Sequence, residues 1–201
     1  MAAEARPDSA PRTAEPRRRI GFALFAAVIV IAVIAVMATV VAVTLSGDND
    51  QARIERTADV LHRLVAAMDT SKTFTSFGAN VTQWPGHLSQ LTTKIASSGD
   101  LSCSGAVYGT KNAPNWKGPY YLVPIPTTGY QIAPGFFAND LLVKVSTTNL
   151  AIQMNGVSLH DAQGLELFVE KTSTGAGPVV TFALTDPTTV QYHLISATTI
   201  C

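Results

Sequence analysis

Hydrophobic and polar positions divide this chain into four stretches. Residues 1–19 mix Pro7, Pro11 and Pro16 with alanine, arginine and acidic residues. No apolar period runs through them, so they cannot build a core and read as disordered. From Ile20 to Leu45 come 26 residues without a charge. As a helix rising about 1.5 Å per residue, such a run spans about 39 Å, enough to cross a hydrocarbon layer of about 30 Å. "SGDND" (Ser46–Asp50) then breaks the pattern. Gly47 weakens a helix there, and Asp48 or Asp50 can cap a new one. In the next stretch Ile54, Ala58, Leu61, Val65 and Met68 recur at steps of four and three, which is one apolar face of a helix. Arg53, Glu55, Arg56, Asp59 and Arg63 mostly face the other way.

Beyond Phe74 the pattern shortens. "HLSQLTTKIAS" suits a brief helix, and "WKGPYYLVPIP" is rich in turns. "LLVKVS" and "LAIQM" have the length and residue types of strands. "SLHDAQGLELFVEK" predicts a helix capped by Ser158, with Asp161 three positions on. "GPVVTFAL" and "TVQYHLIS" predict two strands joined through Asp186-Pro187. The expected fold class is α+β, with a long N-terminal hydrophobic helix packed on a small antiparallel sheet. The expected divisions are a disordered basic leader over 1–21, a transmembrane or assembly helix over 22–45, its amphipathic continuation over 46–73 and an extracytoplasmic α+β domain over 74–201.

Length and charge sharpen this picture. Of 201 residues, about 155 follow the apolar run, which suits one domain. Net charge is zero, but residues 1–19 hold five arginines against Glu4, Asp8 and Glu15, so the remainder carries −2. No basic patch points to nucleic acid. The apolar run is longer than the apolar region of a secretory signal, about 7–15 residues, and no small-x-small cleavage site precedes Ser46, so it reads as a retained single span. Arg17, Arg18 and Arg19 on its N-terminal flank keep that end in the cytoplasm and put the domain outside. Cys103 and Cys201, the two cysteines of the chain, can pair in an oxidising compartment or stand as separate thiols.

A basic stretch, Gly21-Phe22, an uninterrupted apolar helix and an amphipathic continuation into a small sheet resemble the type IV pilin and type II secretion pseudopilin family. "NAPNWKGPYYLVPIP" resembles the W-x-G-P-Y stretch of the major pseudopilin, here Trp116, Gly118, Pro119 and Tyr120. "GVSLHDAQGLELFVEKTSTGAGPVVTF" looks like a late pilin segment. The resemblance implies cleavage between Gly21 and Phe22 by a membrane-embedded prepilin peptidase, methylation of Phe22, and a mature chain of 180 residues. It also implies assembly with other pilin-like subunits through Phe22–Leu45, inner-membrane assembly proteins as partners, membrane lipid as first solvent, and a disulfide tying down the C-terminal region. The implied location is the inner membrane, single-pass, with a periplasmic or extracellular domain. One residue departs from the family. The usual Glu four positions after the cleavage-site Phe is here Ala26, which suits a minor or initiating subunit, or a protein of this build that does not polymerise. A signal-anchored, monomeric binding domain is the alternative reading.

Other chemistry is sparse. His62, His87, His160 and His193 lack metal-ligand spacing, and no metal or cofactor is expected; calcium at Asn139, Asp140 and Asp186 stays open. Trp116, Tyr120 and Tyr121 suit the edge of a small core or a sugar- or partner-binding surface. No Gly-x-Ser-x-Gly elbow and no persuasive carboxylate pair is present, and no Gly-rich loop opens a helix, so no enzymatic turnover is expected.

Overall fold

A computed structural model describes residues 17–69, 76–195 and 201; side chains are described for 28–35, 49–69, 76–194 and 201. The chain divides into two compact units, Met1–Gly47 and Asp48–Cys201.

Helix α1 is Arg17–Met68. Residues 17–21 of the expected leader have helical backbone, and residues 1–16 lie outside the described residues. The backbone is helical through Ser46–Asp50, Gly47 included. A single glycine costs a helix only about 1 kcal/mol. In the first unit the described side chains, Val28 to Ala35, are all exposed. Among the described residues no helix is long and apolar enough to cross a membrane. The span expected over 22–45 falls mostly on side chains outside the described residues.

The second unit holds a six-stranded sheet and three further helices, α2 (Phe77–Val81), α3 (Gly109–Asn112) and α4 (Leu159–Glu170). The strands are β1 (Tyr130–Ala133), β2 (Phe136–Ala138), β3 (Val143–Lys144), β4 (Asn149–Val157), β5 (Val180–Phe182) and β6 (Thr188–Ile195). Their order is β1-β2-β4-β6-β5, with β3 beside β4, and every pairing is antiparallel. The β1–β2 hairpin through Pro134-Gly135 was not legible, because "GYQIAPGFFAND" carries no clean alternation. "LLVKVS" supplies only two strand residues. The chain leaves β4 between Ala138 and Val143 to pair His87 with Leu141. "HLSQLTTKIAS" yields only a 3-10 turn at Leu88–Leu91.

The predicted face of α1 is buried, with one change of phase. Ile54, Ala58, Leu61 and Met68 are buried, and so is Leu64, while Val65 is only partly covered. Ala58, Leu61, Leu64 and Met68 share one apolar cluster with Phe136, Leu150, Ile152, Met154, Val190 and Leu194 on the inner face of the sheet. Each buried leucine contributes about 1.5–3 kcal/mol. Helix α4 begins as predicted: Asp161 N donates to Ser158 Oγ at 3.1 Å. At Gly164 a Cβ would stand 2.4 Å from Ile54 Cδ1, so α4 and α1 approach closely there.

Arg53 corrects the expectation that it faces away. Its Nη2 pairs with Asp161 Oδ1 at 2.5 Å and Asp50 Oδ1 at 3.0 Å, and its Nη1 donates to Pro134 O at 3.3 Å. One guanidinium thus joins α1, the β1–β2 turn and the first turn of α4, where a carboxylate also complements the helix dipole. Asp161 is buried, so losing its partner leaves a charge in low dielectric.

A double-mutant cycle of Arg53→Ala and Asp161→Ala is expected to give a coupling of about 1–3 kcal/mol in denaturant unfolding. Additivity within about 0.5 kcal/mol would mean that the pair does not hold these elements together. A pH dependence follows from Tyr192, which is 3% exposed. Burial pushes its phenol up to about 12. The unfolded chain therefore releases this proton first, and the stability present below pH 10 falls as pH rises from about 10 to 12. Tyr192→Phe should flatten that part of the stability–pH curve; an unchanged slope would remove Tyr192 as its source.

Candidate functional site

The motif Trp116, Gly118, Pro119, Tyr120 folds into a supported loop. Its anchor is Gln90, a buried residue that sequence reasoning missed, since nothing in "HLSQL" marks it. Gln90 Oε1 accepts from Gly86 N at 3.0 Å and from Tyr108 OH at 2.7 Å, while Nε2 donates to Leu101 O at 3.0 Å. The Gln90 main-chain oxygen accepts from Trp116 Nε1 at 2.9 Å. Tyr120 N donates to Leu91 O at 2.8 Å, and Lys117 N donates to Tyr120 OH at 2.8 Å. The rings of Trp116 and Tyr120 meet edge to face at 5.7 Å, and Tyr120 meets Phe77 at 5.6 Å.

Gly118 sits between those two rings. A Cβ there would lie 2.6 Å from Trp116 Cζ2 and 2.9 Å from Tyr120 Cδ2, so glycine is required by close approach. Trp116 and Tyr120 are half-buried and packed on the core, which gives them the structural role left open by the sequence. What the loop presents outward is the next pair: Leu122 is 91% exposed and Val123 47%. With Tyr120, Tyr121, Arg63, Ala66 and Ala67 they line an open cleft of about 540 Å³.

Cys103 and Cys201 are joined as a disulfide with Cα atoms 5.4 Å apart, across a sequence separation of 98. Cys201 N donates to Thr147 O at 3.2 Å, and Lys144 Nζ donates to Cys201 O at 3.3 Å. Residue 201 is therefore fixed beside the β3–β4 turn.

The remaining candidates are dispersed. Gly21 and Phe22 lie on helical backbone, but their side chains fall outside the described residues. His87 Nδ1 meets Asp140 Oδ2 at 2.8 Å, and Asp140 Oδ1 accepts from Ser89 N at 2.7 Å, so this carboxylate caps the 3-10 turn. Asp186 Oδ1 accepts from Leu159 N at 3.1 Å, and Asn139 Oδ1 from Asn155 Nδ2 at 3.3 Å. The structure does not bring Asn139, Asp140 and Asp186 together on a common set of ligating contacts. His62 packs edge-on against Tyr192, and His160 is exposed. Among the described residues no group of three His, Cys, Asp or Glu is placed to hold a metal.

No protein-family model, curated protein or solved structure matches the chain.

Cys201→Ser is expected to lower unfolding stability by up to about 4–5 kcal/mol, the chain-entropy value for so long a loop. An unchanged unfolding midpoint, with two thiols titratable in the wild type, would exclude the bridge. Gly118→Ala should destabilise by about 1–3 kcal/mol, as overpacking does, and shift the tryptophan emission; wild-type emission and stability would mean that the ring contacts do not constrain residue 118.

Proposed function

We propose that this chain is a pilin-like or pseudopilin subunit, made as a precursor and cut between Gly21 and Phe22. Its mature part then packs through Phe22–Leu45 with sister helices in a filament or filament tip. The observation that carries this reading is the junction of an uncharged 26-residue run with a helix whose next turns enter the core of a small antiparallel sheet. Such a chain keeps its soluble unit folded by one helical face while the apolar run stays available for lipid or for like helices. The exposed aliphatic side chains from Val28 to Ile34 are suited to that use. Association of apolar helices rests on close packing and shape, and alanines such as Ala23, Ala27 and Ala32 allow close approach. The disulfide supports the same reading, since it secures the outer domain in an oxidising compartment.

The work proposed is mechanical and associative. Its partners would be other pilin-like subunits, a prepilin peptidase and inner-membrane assembly proteins, and its location the inner membrane with the domain outside. Ala26 favours a minor or initiating subunit, because no carboxylate is present four residues after Phe22 to neutralise a neighbour's terminal amine. The same residue favours a second reading, an anchored monomeric binding domain.

Mass spectrometry of the membrane fraction separates the two readings. The subunit reading expects a chain that begins at N-methylated Phe22 and crosslinks to further copies or to other filament proteins. An intact arginine-rich leader on a monomer would favour the anchored binding domain.

A further inference from the structure

Three neighbouring strands bring three polar side chains together on the outward face of the sheet. Thr181 Oγ1 of β5 lies 2.8 Å from His193 Nε2 of β6, and His193 Nδ1 lies 3.2 Å from Asn149 Oδ1 of β4. An amide oxygen only accepts, so Nδ1 carries the ring proton and Nε2 is left to accept from the Thr181 hydroxyl. That is the tautomer a general base needs. Burial lowers the pKa of His193, with the Glu170 carboxylate acting in the opposite sense, so the ring is neutral at pH 7.

Thr181 also lines a cleft of about 260 Å³ with Gly175, Phe182, Ala183, Thr189 and Gln191. Gln191 stands opposite Thr181 in the β5–β6 register. Among the described residues its side-chain amide has no protein partner. An uncommitted N–H donor therefore borders the same cleft as a hydroxyl already bonded to a neutral imidazole. Nucleophile, base, orienting group and oxyanion donor are the parts of an acyl-transfer site. The cleft is open and none of the residues lining it is charged, so it suits a neutral acyl group rather than an ionic one.

We propose that Thr181, His193 and Gln191 form an acyl-transfer site for neutral esters, with Asn149 as the positioning residue. Thr181 Oγ attacks the ester carbonyl carbon while its proton passes to His193 Nε2. The carbonyl electron pair moves onto oxygen, facing the Gln191 amide. Collapse breaks the bond to the alcohol, which leaves with the proton from His193, and acyl-Thr181 remains. Water then gives a proton to His193 and bonds to the acyl carbon. The threonine oxygen departs, recovers that proton, and a carboxylic acid is released.

The test uses the full chain in detergent micelles with p-nitrophenyl acetate, following nitrophenolate release and mapping the acetyl group by mass spectrometry after an acid quench. The expected result is acetyl on Thr181 in the wild type. Thr181→Val, nearly isosteric, should slow release by roughly a hundredfold, the size of one positioned proton transfer. Thr181→Ser should keep the activity. Asn149→Ala should slow release, and Asn149→Asp, which keeps an acceptor oxygen, should restore it. Wild-type release from a Thr181→Val chain with an unchanged circular dichroism spectrum overturns the proposal. Acetyl found only on lysines or other histidines of the wild type does so without recourse to any variant.

Discussion

The second unit depends on one constraint: the face of α1 from Ile54 to Met68 must leave water, and the inner side of the sheet is where it goes. Ala58, Leu61, Leu64 and Met68 share a cluster with residues from β2, β4, β5 and β6. A sheet this small has one face to cover, and the helix supplies the cover. Apolar burial is non-directional, so it does not by itself fix how far the helix slides or turns. Two local contacts do. Gly164 admits Ile54 where no larger residue would fit, and Arg53 reaches Asp161 on α4 and the carbonyl of Pro134 between β1 and β2. Burial supplies the drive, and one charge with one missing side chain sets the register.

The same division of labour protects the sheet's edge. β5 is a terminal strand with only three residues, and unpaired edges invite other chains. Here Phe182 N donates to Gly175 O, and Ala176 pairs with Thr181, so residues 175–176 lie along the edge. Two carboxylates one turn apart on α4 hold the segment from Gly175 to Val180. Glu166 accepts from Gly175 N at 2.8 Å and Gly177 N at 3.1 Å, and Glu170 accepts from Val179 N at 2.6 Å and from Val180 N. Glu166 is fully buried. Its burial is compensated because backbone N–H groups, not water, satisfy its oxygens.

What the sequence revealed follows from the range of the forces involved. The α1 face, the Ser158 cap, α4 and the strands β4 and β6 were legible, because each rests on periodicity or on a contact within three or four residues. The β1–β2 hairpin was not, since its strands have three or four residues and the adjacent Ile132 and Ala133 are both buried, which erases the alternation. Arg53 looked like a solvent-facing charge because its partner Asp161 lies 108 residues away. Gln90 was invisible for the same reason: its value comes from Gly86, Tyr108, Leu101 and Trp116 converging on it. The Trp116–Tyr120 segment is turn-rich in sequence, but the need for Gly118 comes from two rings that only the folded loop brings together.

The histidines show how far such reading can go. Spacing along the chain is the right test for a metal held by one local segment. It is the wrong test for a sheet, where neighbours come from register. His193 meets Thr181 because β5 and β6 run antiparallel, and Asn149 because β4 and β6 do. Thr181 and Asn149 are short polar residues with no local signal, and each is half-buried. Their chemistry exists only as a cross-strand row. A sheet face that carries hydroxyl, imidazole and amide groups in adjacent strands therefore has to be judged by distances, whatever the helix at the other end of the chain is built to do.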